Sequence, residues 1–121
     1  TRFVFDRLLK KELKKPCWII DGNYFRTLTK RLKYADLCIF LDYPINLCLD
    51  GVSERIKTYS GLTRPDMTDG CTERVDPEFE QWIRDFGKNV RPKMLEILKS
   101  GNVDYKILTS RELTANWLNS Y

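Results

Sequence analysis

Two apolar runs in this chain each end on an aspartate and pass directly into helical sequence. The first is Cys17-Trp18-Ile19-Ile20-Asp21-Gly22-Asn23-Tyr24, and the second is Leu37-Cys38-Ile39-Phe40-Leu41-Asp42-Tyr43-Pro44. Short apolar stretches bounded by turn residues read as strands buried on both faces, and strands alternating with helices lie parallel. Ligands of such sheets collect outside the carboxyl ends of the strands. Asp21 and Asp42 therefore mark the edge where chemistry is expected, although Asp42 can equally cap a helix that starts at Pro44.

The rest of the chain fills in an α/β pattern. Residues 2–14 place Phe3, Val4, Phe5, Leu8, Leu9 and Leu13 at helical spacing, and Pro16 closes that helix. Strands are expected near residues 17–21, 37–42 and 104–109, with a short basic helix over 24–33 between the first two. A further helix carries Ile45, Leu49, Val52 and Ile56 and ends near Gly61. Residues 57–75 lack periodicity and concentrate turn formers, which predicts a long, poorly ordered loop whose cations can meet a ligand. Asp76-Pro77-Glu78 starts the next helix, with Asp76 as N-cap and Pro77 at the first helical position. Its stripe of Phe79, Trp82, Ile83 and Phe86 reads as core, and Gly87 with Pro92 should kink or split it before Met94, Leu95 and Leu98. Ser110 caps a last helix whose Leu113, Trp117 and Leu118 are expected to pack inward.

At 121 residues, one compact domain is expected, and 42% apolar content can build its core. The net charge of +4 is too modest to imply nucleic-acid binding without a concentrated patch. The four cysteines form no C-x-x-C pair, and the chain has no histidine to complete a zinc site. Without histidine, acid-base work falls to carboxylates, and phosphoryl transfer, which rests on positioning and cations, tolerates that lack. No signal peptide or long apolar span is seen in these residues, so a cytoplasmic location without a membrane partner is expected.

Trp18-Ile-Ile-Asp-Gly-Asn-Tyr, Phe40-Leu-Asp-Tyr-Pro, Gly61-Leu-Thr-Arg-Pro-Asp-Met, Asp69-Gly-Cys-Thr-Glu and Asp76-Pro-Glu-Phe-Glu-Gln-Trp-Ile together resemble the topology modulation (FlaR-type) proteins. These are small P-loop NTPases with an adenylate-kinase-like fold. The resemblance implies a three-layer arrangement around a parallel sheet and ATP-dependent phosphoryl transfer to a nucleotide or other small acceptor, with ATP and Mg2+ as cofactors. It implies that Asp21 holds magnesium through water, that Asn23, Tyr24 and Arg26 lie in the acceptor segment, and that residues 57–75 form a lid. Arg55 and Arg64 would be the lid cations facing phosphate, with Arg84 and Arg91 as further substrate-binding cations.

The family's phosphate loop, G-x-x-x-x-G-K-[ST], is absent from these 121 residues. It is expected upstream of Thr1, so the chain by itself should be inactive. In such sheets the strand leading to that loop lies between the Asp21 and Asp42 strands. Its loss would leave an open slot and favour self-association of the fragment through exposed strand edges. The alternative is a non-catalytic regulatory protein affecting DNA topology, for which the sequence offers no helix-turn-helix or dense basic face.

Overall fold

The computed structural model describes residues 1–63, 65 and 76–121. Helix α1 (Arg2–Leu13) is capped by the Thr1 side chain, which accepts from the Val4 amide at 3.3 Å. A single 3-10 turn, Phe25–Thr27, leads into α2 (Leu28–Tyr34). Strand β1 (Leu37–Leu41) is followed by α3 (Ile45–Tyr59). Then come α4 (Pro77–Asn89), α5 (Arg91–Ser100), strand β2 (Asp104–Leu108) and α6 (Arg111–Ser120). Both expected caps form: Asp76 accepts from the Glu78 and Phe79 amides, and Ser110 accepts from the Leu113 amide. Each satisfies N-terminal donors that a helix leaves without an internal partner.

β1 and β2 pair in parallel, with Leu37 opposite Asp104 and Leu41 opposite Leu108. Alternation along β1 turns Cys38 and Phe40 toward α2 and α5. There Phe40 meets Leu28, Leu32, Met94 and Leu98 in the buried cluster, and Phe86 approaches edge-on at 6.4 Å between ring centroids. Full burial of one such side chain contributes about 1.5–3 kcal/mol, so this contact of β1 with α2 and α5 is the main apolar store of the described fold. Leu108, on the other sheet face, is also buried.

Several expectations are corrected. Residues 17–21 form no strand: Trp18 to Tyr24 have no regular structure, and Ile19 is 99% exposed. A strand needs a neighbour to accept its backbone bonds, and among the described residues the sheet contains only β1 and β2. Cys17 is accordingly exposed instead of packed in a strand. Gly87 does not interrupt α4, and a Cβ there would sit 3.6 Å from Ile45 of α3, so the glycine allows two helices to approach closely. The break falls at Val90, just ahead of Pro92.

The aromatic stripe of α4 is only partly core: Ile83 is buried, whereas Phe79 and Trp82 stack on each other at 6.0 Å and keep over a third of their surface exposed. On α6, Leu113 and Leu118 face solvent instead of packing inward. Helix α3 runs through Tyr59, which takes residues 57–59 from the expected loop. Arg64 and residues 66–75, the bulk of that loop, lie outside the described residues.

Candidate functional site

The site is built around the turn that follows Ile20. Gly22 has φ of 133°, a conformation closed to most side chains, and a Cβ there would also collide with the Tyr24 ring. Two successive carbonyls of this turn are gathered by Arg31 of α2, whose Nη1 donates to Gly22 O at 3.0 Å and Nη2 to Tyr24 O at 2.9 Å. Thr27 adds its amide and hydroxyl to the same Tyr24 carbonyl at 3.0 and 3.1 Å. A side-chain clamp thus does here what a strand ladder would otherwise do. Burial pushes the Arg31 guanidinium below its ordinary pKa, and its Nε has no hydrogen-bond partner among the described residues.

That turn forms one wall of a cleft of about 280 Å³, to which Trp18, Ile20, Asp21 and Asn23 contribute. The opposite wall is β1, and Leu28, Met94 and Leu98 line it as well. β1 presents an open backbone edge there. The Asp42 amide donates to Leu108 O at 2.8 Å, so alternate residues Phe40 and Cys38 also direct their backbone groups at β2. Leu37, Ile39 and Leu41 direct theirs the other way, where no strand pairs with β1 among the described residues.

Asp42 corrects its expected role. Pro44 stands at the N-cap of α3 with no side-chain cap bond. The Asp42 carboxylate instead takes a two-pronged contact from Arg91 at the start of α5: Nε lies 2.9 and 3.0 Å from the two oxygens, and Nη2 is 2.8 Å from Oδ2. Hydrogen bonding to Asp42, reinforced by its charge, raises the Arg91 pKa. Beside this pair the Cys48 thiol is pushed up by burial and then by the Asp42 charge. Tyr43 exchanges a hydrogen bond with Thr114 of α6 at 2.7 Å, tying the end of β1 to the last helix. Gly51 within α3 leaves room for Arg111, whose Nη2 would lie 3.4 Å from a Cβ.

The cations named from sequence are mostly engaged. Arg26 is bound in parallel fashion to Asp6 of α1 at 2.7 and 3.1 Å, and Arg84 reaches Glu80 one turn earlier at 2.8 Å. Arg55 stands over the Phe79 ring, 5.9 Å from its centroid. The structure brings Asp21 and Asn23 together on the cleft, with Tyr24 in the same turn, but leaves Arg26, Arg84 and Arg91 on carboxylates of their own. Sequence reasoning missed Arg31. Its signal was a basic residue on a short helix directly after a glycine turn, a place where free carbonyls need a donor.

A lone carboxylate such as Asp21 fits magnesium held through water, since magnesium keeps several waters and takes few protein ligands. Among the described residues no group of three or more histidine, cysteine, aspartate or glutamate side chains could hold a metal directly. A triphosphate does not fit the described residues alone, because they offer neither a glycine-rich cradle nor a cation freed from a carboxylate beside the cleft. No helix among them is long and apolar enough to cross a membrane. Comparison with protein-family models, curated proteins and solved structures finds no match to this chain.

Proposed function

We propose that this chain belongs to an ATP-dependent phosphotransferase of the adenylate-kinase-like, topology modulation type, acting on a nucleotide or other small acceptor in the cytoplasm. The observation that carries the reading is the Asp21 turn: a carboxylate presented beside the amino acceptor-type residues Asn23 and Tyr24, fixed by Arg31 on a cleft next to a parallel strand. Asp21 would orient water-bound magnesium, and the cation would neutralise charge on the transferring phosphoryl group. Arg55 and Arg64 would add positive charge from the lid side. With no phosphate loop in its 121 residues, the chain on its own would be inactive.

The test is ATP-dependent turnover by the full-length gene product. Asp21→Asn should lower it far more than it alters the unfolding midpoint, and Arg64→Ala should lower it by about tenfold or more. Unchanged turnover in both variants would remove these residues from the chemistry. The second reading, a non-catalytic regulatory protein that acts on DNA topology, is favoured by one observation: Arg26, Arg84 and Arg91 are committed to carboxylates instead of lining an anion site. Self-association is part of the proposal too. The open edge of β1 carries the partly exposed Ile39 and Leu41, an arrangement that a second copy of the chain can cover by strand pairing.

A further inference from the structure

Helix α1 carries the charge imbalance of the whole molecule. Within residues 1–15 six bases (Arg2, Arg7, Lys10, Lys11, Lys14 and Lys15) oppose two acids, Asp6 and Glu12, for a net of +4, and 21 bases against 17 acids give the entire chain the same +4. The remaining residues are therefore neutral in sum. Both acids of α1 are already engaged, Asp6 by Arg26 at 2.7 Å and Glu12 by Lys15 at 2.8 Å.

The helix has two distinct sides. Leu9 and Leu13 are buried and Phe5 is half-buried against the Tyr24 ring, 4.9 Å away, which defines the inner side. At 100° per residue Arg7, Lys10, Lys11 and Lys14 fall on the opposite side. Phe3, Val4 and Leu8 stand among them, 74%, 50% and 57% exposed. That outer face is basic and apolar at once.

We propose that the outer face of α1 docks the protein on an anionic lipid surface. Charge complementarity selects a polyanion, and the apolar side chains decide which kind. Contacts to nucleic-acid phosphates would use the bases but leave Phe3, Val4 and Leu8 in water. A headgroup region takes both, because apolar side chains enter the acyl boundary while lysine stems extend their ammonium groups back to the phosphates. The helix lies on the surface and does not span it, and the anionic cytoplasmic leaflet is the matching site.

The test is co-sedimentation of the 121-residue chain with vesicles of phosphatidylcholine alone or with phosphatidylserine added. Binding should require phosphatidylserine and weaken steeply when salt is raised, a series that needs no variant. Each base near the surface contributes about fivefold, so Lys11→Gln with Lys14→Gln should lower partitioning by about 25-fold, with helicity checked by circular dichroism. Leu8→Ser should weaken binding while leaving its salt dependence intact. Equal binding to phosphatidylcholine alone, salt-insensitive binding, or retention of duplex DNA without vesicle binding would each overturn the proposal.

Discussion

The Leu37–Leu41 and Cys17–Asp21 segments have nearly the same composition and opposite fates. The first is a paired strand with Phe40 inside the apolar cluster, and the second is irregular with Ile19 in solvent. Apolar and β-branched content is common to both, so it cannot be what separates them. Leu37–Leu41 has β2 alongside to accept its backbone bonds and α2 with α5 to cover Phe40. The segment ending at Asp21 has instead a clamp of polar contacts: Arg31 on the Gly22 and Tyr24 carbonyls, and Arg26 on Asp6. A strand-type sequence becomes a strand only where a neighbour completes its ladder.

The largest expected effect separates the two regions by stability. Phe40→Ala should cost about 3–5 kcal/mol in denaturant unfolding, through lost transfer energy and a cavity. Ile19→Ala should stay within about 0.5 kcal/mol, as an exposed side chain has little to lose. Comparable losses at the two positions would erase the distinction.

A smaller effect is expected at the junction of β1 and α5. The Asp42 side chain is 10% exposed and that of Arg91 43%, so the pair is partly screened by solvent. Arg91→Met should cost about 1–2 kcal/mol, less than a fully buried pair would, because it strands a nearly buried carboxylate. A neutral result would show that α5 is positioned by Met94 and Leu98 alone.

The smallest is on the clamp side and depends on pH. Hydrogen bonding from Arg26 holds Asp6 below the ordinary value of 3.8. A carboxylate depressed in the folded state stabilises above its unfolded pKa and loses that contribution as pH falls through the folded one. Acid titration should therefore show the Asp6–Arg26 contact releasing only below pH 3.8, followed by the Asp6 carboxyl resonance. Titration at or above that value would mean the contact does not persist in solution.

These contrasts also mark what the sequence discloses. β1, β2 and the capped starts of α4 and α6 are legible because each depends on local signals: an apolar run between turn residues, or a side chain that reaches its own helix. The irregular path of residues 17–21 is not legible, since it turns on which strands are present to pair. Asp42 was read as a cap because Pro44 follows it, whereas its true partner, Arg91, lies far along the chain. Gly87 looks like a helix breaker until Ile45 of α3 is seen against it. At the candidate site, Asp21 and Asn23 were legible as strand-end residues. Arg31 was not, because its role is defined by two carbonyls that only the folded turn brings together.

The most direct measurement is amide hydrogen exchange, comparing the Asp21 approach with β1 in the wild-type chain and in Arg31→Met. Cys38 and Phe40, bonded into the sheet, should exchange orders of magnitude more slowly than Ile19 and Ile20. Arg31→Met should speed exchange around Gly22 to Tyr24 and leave β1 unchanged, because the turn that presents Asp21 is held by that side chain. Equal protection of the two segments, or a turn indifferent to the loss of Arg31, would contradict the account.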